Sequence, residues 1–281
     1  MKIAYQGIPG AYSEEATNRY IEGLERESAS LTIVGYSTFK HLVDDLLNGS
    51  VDQIVIPVEN STTGIIARTM DLFRHQDVFA VKEIFVPIRH TLLGIRGSSI
   101  ERIGKVLSHP EALTQCISFF EEHPWMEAVA YDDTANAALF VKDEQDPTIA
   151  ALASARAGQL YQLEVLQEHI QTEMDNTTRF YVLEKGRPQK TSGNKLSFYV
   201  ETSHEPGSLT KLLLQFEKFE ANLLSLNARP IANQSFSYGF FIEASFDAEK
   251  DSVADLLEQL NQYAKYVQLL GQFQAASLPN E

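Results

Sequence analysis

The chain has 281 residues, long enough for two domains, and its 44% hydrophobic and 22% charged residues make an ordinary globular balance. A formal net charge of −15 argues against non-specific binding to nucleic acid or to an anionic membrane, because both need a basic surface. No apolar run approaches the ~18 residues of a membrane span, the opening residues do not read as a signal peptide, and the single Cys116 fits a reducing compartment, so a cytoplasmic location is expected.

Residues 2–5 read as a short strand, followed by a loop containing Gly7, Pro9 and Gly10. A helix is predicted to open at Ser13 as its N-cap, with Glu14 and Glu15 in the first turn, where the dipole favours acids. Apolar residues at 39, 42, 43, 46 and 47 have helical spacing, and Gly49 supplies a stop. Residues 53–58 read as a buried strand, with a helix after Thr63-Gly64, and 78–93 as largely extended. Ser108-His109-Pro110-Glu111 reads as a capping box that opens a helix through Phe120. Helices over 134–141 and 152–160 and a strand over 179–183 complete a βα alternation, which means an α/β domain with parallel strands covered by helices. Residues 186–194 are polar and Gly/Pro-bearing, a linker. After it come a strand (195–202), a helix (207–219), two strands (223–228 and 236–244), a helix (252–263) and a strand (267–273). That order is an α+β, ferredoxin-like βαββαβ unit.

Glu59, Asn60, Ser61, Thr62, Thr63 and Gly64 follow the strand at 53–58. The carboxyl end of such a strand, leading into a helix, suits an anionic ligand; an N-cap loop with a solvated polar surface has the same composition. Asn176-Thr177-Thr178-Arg179-Phe180 runs into an aromatic, β-branched strand. Alternation would put Thr178 and Phe180 on one face and Arg179 on the other, so Thr178 and Arg179 share a ligand only if the strand begins after them. Gly7-Ile8-Pro9-Gly10 lacks the dinucleotide spacing, the seven histidines show no metal-ligand spacing, and no G-x-S-x-G elbow is present. No cofactor is expected.

Several segments in chain order resemble the prephenate dehydratases. They are Gly7 with Gly10, Ser13 and Ala16; Pro57 through Gly64; Ser108-His109-Pro110 with Leu113, Gln115 and Cys116; Asp133-Thr134-Ala135 with Ala137-Ala138; Ala150 through Ser154; Tyr161 with Leu163; and Asn176 through Phe180. The resemblance implies a two-lobed α/β catalytic domain like a periplasmic binding protein over 1–185. One lobe would take about 1–80 plus 175–185 and the other about 81–170. The linker 186–194 would join it to an ACT domain over 195–275, the ferredoxin-like unit. The implied reaction is loss of water and CO2 from prephenate, a dianion, to give phenylpyruvate for L-phenylalanine biosynthesis.

In that scheme Thr178, Glu59 and Asn60 are catalytic, with Thr178 a positioned donor to the leaving hydroxyl and Glu59 a general acid. Ser61, Thr62, Ser108, Gln115, Arg179 and Phe180 bind substrate, Arg179 pairing with a carboxylate. Because the chain is acidic, the cleft must be locally positive or rich in N–H donors, from Arg179 and the helix start near Thr63-Gly64. In the ACT domain, Gly207, Ser208 and Leu209 with Asn227, Ala228, Arg229 and Pro230 would bind L-phenylalanine as effector, in a homodimer or homotetramer. Ser208, Asn227 and Ala228 depart from the family pattern there, and a dimerisation domain that binds nothing is the other reading. An arogenate dehydratase and a non-catalytic amino-acid sensor are the alternatives for the whole chain.

Overall fold

A computed structural model of the chain describes residues 1–24, 31–232, 234, 236–248, 250 and 252–278. The first part runs β1 (Lys2–Gln6), α1 (Tyr12–Glu22), β2 (Thr32–Tyr36), α2 (Phe39–Asn48), β3 (Gln53–Asn60), β4 (Gly64–Ile65), the short α3 (Ala67–Met70) and β5 (Val78–Pro87). A middle part follows: β6 (Thr91–Gly94), β7 (Lys105–Ser108), α4 (Pro110–Gln115), α5 (Ile117–Glu122), β8 (Glu127–Ala130), α6 (Thr134–Glu144), β9 (Ile149–Ala153), α7 (Ala155–Tyr161) and β10 (Glu164–Gln167). The chain returns through β11 (Thr177–Lys185). It then enters β12 (Lys195–Glu201), α8 (Ser208–Lys218), β13 (Leu223–Pro230), β14 (Tyr238–Ser245), α9 (Val253–Tyr263) and β15 (Tyr266–Phe273).

These strands form two sheets. One has the order β13-β14-β12-β15-β5-β11-β3-β1-β2 with β4 beside β3, and the other β10-β6-β9-β7-β8. The first and middle parts are therefore two lobes joined by two crossings, near 88–90 and 168–176. β5 lies wholly in the first sheet, so the lobe division falls after Pro87 rather than at about residue 80. The reason is its pairing: β5 is antiparallel to the return strand β11 along its length.

Strand alternation in β3 and β11 supplies two apolar faces. Ile3, Val55, Phe180 and Val182 pack on one side with Ala16 and Tyr20 of α1. Ala4, Ile54, Ile56, Tyr181 and Leu183 pack on the other with Leu42 and Leu46 of α2, and the same cluster takes in Tyr199, Phe241, Leu270 and Phe273 of the C-terminal part. α2 forms where its spacing indicated: the Thr38 hydroxyl accepts from the His41 N–H, and Gly49 closes the helix at φ 80°. Replacing the fully buried Leu46 by alanine is expected to cost about 2–5 kcal/mol, measured by chemical denaturation.

The C-terminal strands and helices enclose their own core of Leu196, Phe198, Leu212, Phe216, Ile242, Leu256 and Leu260. Their order is β12-α8-β13-β14-α9-β15. Their sheet meets the first lobe where β15 pairs β5 at Gly271↔Ala80. A Cβ on Gly271 would lie 2.7 Å from the Ala80 Cβ and 2.8 Å from its carbonyl oxygen, so only glycine permits this approach.

Three local expectations change. α1 begins at Tyr12 with Ala11 as N-cap and no side-chain cap, so Ser13 lies inside the helix. The helix expected through Phe120 is α4 and α5, broken at Cys116, and its cap is His109, whose Nδ1 accepts from the Glu111 N–H; proline at the first helical position suits that start. The alanine-rich run read as a helix from residue 152 is the end of β9, followed by Ser154, which caps α7. Its buried small residues pair with β6 and β7, a tertiary context that overrides alanine's helix propensity.

Candidate active site

The lobes meet across a short seam. Ser154 Oγ donates to the Gly10 carbonyl at 2.9 Å, and Arg156 pairs with Glu14 at 2.9 Å. Gly10, at φ 94°, approaches so closely that a Cβ there would stand 3.1 Å from Ala157. Beside this seam lies a cavity of about 180 Å³. Its walls come from both lobes: Tyr12 and Ser13 of α1, Asn60 of β3, Arg68 of α3, His90 of the first crossing, His109, Glu111 and Gln115 around α4, Asp133-Thr134 at the start of α6, and Thr178 and Phe180 of β11.

A hydrogen-bond chain fixes the polar groups at its centre. Asn60 Oδ1 accepts from the backbone N–H groups of Thr62 and Thr63 at 3.0 and 3.1 Å, so the Asn60 amide nitrogen must face the other way. That nitrogen donates to Asn176 Oδ1 at 2.7 Å and to Thr178 Oγ1 at 3.0 Å. Asn176 then donates through Nδ2 to Gln115 Oε1 at 2.9 Å, and His90 Nε2, 2.9 Å from the same oxygen, must carry its proton to donate there. Among the described residues two groups come out free. Thr178 Oγ1 is already an acceptor, so its hydrogen is available to donate into the cavity, and Gln115 Nε2 is available likewise.

Charge in the cavity has sources the sequence did not reveal. Arg68 lines it, stacked 5.0 Å from the Phe39 ring centroid and without an ion-pair partner among the described residues. The first turn of α1 has no side-chain cap and faces the same space, so partial positive charge reaches it, whereas the start of α6 is capped by the Asp133 carboxylate, which accepts from the Asn136 N–H. Burial, assisted for His109 by Arg68, holds both His90 and His109 below the usual imidazole range, with the Gln115 contact opposing this at His90. The unfolded chain therefore takes up protons first. Stability is expected to fall as pH drops through about 6.5, which denaturation midpoints at about pH 7.5 and about pH 5.5 would check.

Of the anticipated residues, Asn60, Gln115, Thr178 and Phe180 meet at this cavity. Four of the others point elsewhere. β11 begins at Thr177, so alternation holds and the Arg179 side chain leaves on the opposite face from Thr178. There Arg179 pairs with Glu59 at 2.7 Å, Glu83 at 3.1 Å and Glu243 at 2.7 Å. Glu59 precedes Asn60 in β3 and faces that side for the same reason, which removes it as a general acid at the cavity. Ser108 is buried at the end of β7 and donates to the Leu152 carbonyl at 2.6 Å, a structural bond. Ser61 clips the end of β3 to the return strand, accepting from the Thr177 N–H at 2.9 Å.

Thr62 lines a neighbouring cavity with Gln115 and Asn176. The expected helix N-terminus after Thr63-Gly64 is also not an anion site, since β4 intervenes and Asn60 takes the Thr62 and Thr63 N–H groups.

At the C-terminal sites, Gly207 caps α8 at φ 81° and Ser208 bonds the Ser203 hydroxyl at 2.7 Å, while Leu209 packs on the core. Asn227 and Ala228 lie on the edge strand β13. Arg229, expected at an effector, pairs with Asp71 of the first lobe at 2.7 Å, and the Pro230 carbonyl accepts from Arg74 at 2.7 Å.

The family model for prephenate dehydratase matches residues 3–188, two-thirds of the chain and both lobes. The chain belongs to the prephenate dehydratase family. A curated relative from Arabidopsis thaliana, arogenate dehydratase/prephenate dehydratase 1, is 32% identical over 96% of this chain and 71% of its own length. Among solved structures, a prephenate dehydratase from Arthrobacter aurescens in complex with L-Phe is similar with a TM-score of 0.85 and 26% identity, over 100% of this chain and 93% of that one. A structure described as a quorum-quenching acylase is similar with a TM-score of 0.84 and 27% identity over 98% of both chains. Sequence reasoning missed Tyr12, Arg68 and His90 as walls of this cavity. Gly7, Ser13, His109 and Asp133-Thr134, which also line it, stood in the matching segments without being singled out as site residues.

Proposed function

We propose that this chain converts prephenate to phenylpyruvate, with L-phenylalanine as an effector acting through the C-terminal ACT domain. The observation that carries the reading is the Asn60 amide on Thr178 Oγ1 at 3.0 Å, which leaves the hydroxyl hydrogen free at a cavity edged by Arg68 and the uncapped start of α1. In the reaction the ring carboxylate leaves as CO2 and its bonding pair enters the ring. The carbon–oxygen bond breaks in turn, its electron pair going to the leaving oxygen, which departs as water by taking up one proton drawn from solvent. Negative charge builds on that oxygen, where a fixed donor stabilises the transition state more than the ground state. Thr178 supplies the donor, Arg68 and the α1 start face the carboxylates, and Gln115 Nε2 supplies a further N–H.

A second substrate has one observation in its favour: Glu111 lines the cavity, and a carboxylate there suits the ammonium of arogenate. Phenylalanine regulation is supported by the relative solved with L-Phe, whose structure this chain matches over its whole length. A homodimer or homotetramer is supported by the edge strand β13, which exposes Leu224 and Leu226. The deciding experiment measures product from purified protein with prephenate and with arogenate, titrating phenylalanine, with an N-acyl amide alongside. Phenylpyruvate from prephenate is expected, and no turnover of either cyclohexadienol would remove the dehydratase reading.

A further inference from the structure

Behind the cavity wall, on the far face of β11, lies a buried cluster of charges that the proposed chemistry does not use. Arg179, its side chain 9% exposed, contacts Glu59 of β3, Glu83 of β5 and Glu243 of β14. Lys195 of β12 joins it, 2.9 Å from Glu83 and 3.4 Å from Glu243, and the Tyr181 hydroxyl donates to Glu243. Burial disfavours charge on Glu243, yet Arg179 and Lys195 outweigh it and hold the carboxyl below the usual range, so the group is an anion in the folded chain. Two members belong to the C-terminal part and three to the first lobe. The cluster thus joins the domains where their backbone ladder is confined to Gly271↔Ala80.

The placement of this cluster relative to the donor is what matters. Arg179 follows Thr178 in sequence, and Glu59 precedes Asn60, so both residues that make the donor are directly bonded to members of the cluster. The β11–β3 register shifts between Arg179 and Phe180, and the pairs Thr178↔Asn60 and Arg179↔Glu59 lie beyond the shift. On its β3 edge the strand end carrying the donor is thereby set off from the regular ladder, while its other edge pairs β5 without a break from Thr177↔Pro87 to Val182↔Lys82. Side-chain bonds on its far face are the additional tether. We infer that Arg179 and Glu243 are positioning residues, through which the C-terminal domain holds the Thr178 hydroxyl in its catalytic orientation. This rests on the dehydratase reading and adds to it that the C-terminal domain completes the active site from behind.

The test uses the full chain with Glu243→Gln, which keeps the shape and removes the charge, and with Glu59→Gln, a milder change at a half-exposed position. Glu243→Gln is expected to lower kcat on prephenate about tenfold or more with KM changed less than about threefold, because nothing in the cavity is touched. Glu59→Gln is expected to shift kcat in the same direction by less, and it keeps the idea testable if Glu243→Gln does not fold. In a Thr178→Ala background either substitution should change the residual rate by less than about twofold, since there is no hydroxyl left to position. Losses that multiply independently in the double variants, or a wild-type kcat in both single variants, would overturn the inference. A threonine-methyl NMR spectrum supplies a readout without turnover. The Thr178 cross-peak should move in the variants and, if it stays in place, the positioning role is lost. A wild-type chain inert on prephenate would count against the dehydratase reading alone, and the spectrum would still decide this one.

Discussion

Thr178→Ala is expected to lower kcat on prephenate by about 10²–10⁴-fold while leaving KM within a few-fold, the signature of an interaction made mainly in the transition state. The size follows from removing the one hydroxyl whose hydrogen the Asn60 amide leaves free. Thr178→Ser keeps that hydroxyl and should retain most of the rate. Asn60→Asp is a sharper probe. An aspartate has no N–H to give to Thr178 or Asn176, so the Thr178 hydroxyl would turn to donate to the new carboxylate and lose its aim. Its loss in kcat should approach that of Thr178→Ala. Steady-state kinetics on the three variants decide the matter, and a wild-type rate in Thr178→Ala would dispose of the donor role.

Arg68→Gln should act on the other parameter. An exposed guanidinium at the cavity edge attracts the dianion before and during reaction, so its removal should raise KM about tenfold with kcat little changed, the size of one charge-assisted hydrogen bond partly screened by solvent. The effect should shrink as salt rises, because screening already weakens the attraction in the wild type. Arg179 makes the contrast. Its guanidinium is sequestered by carboxylates on the far face of β11, so Arg179→Gln should depress kcat and stability without the salt-sensitive rise in KM. Salt titration of KM for both variants separates the roles.

The C-terminal βαββαβ order was legible because each of its elements carries its own period and stop signal. The helix at 208–218 and the strand at 195–201 fall within a residue or two of their expected bounds. α2 was legible for the same reason. Ser13, Ser108 and the residues 152–153 were misread because each has good local chemistry for a role that its surroundings do not use. Ser13 fits a cap but lines a cavity. Ser108 fits a cap but spends its hydroxyl on Leu152. Arg68 and His90 had no local pattern at all, since what joins them to the site is the closure of two lobes and not a spacing along the chain.

The pair Thr178-Arg179 shows where the division lies. Strand alternation, a property of the backbone, already required their side chains to part, and the same rule separates Glu59 from Asn60. The sequence also supplied the family motifs that marked these residues as a set. It did not determine what would pack on either face. That depended on β11 returning to lie between β3 and β5, with the second lobe closing over Thr178 and the C-terminal sheet over Arg179. Alternation assigns residues to faces through local geometry, whereas the environment of each face is set by segments tens of residues away, and only the tertiary structure brings those segments together.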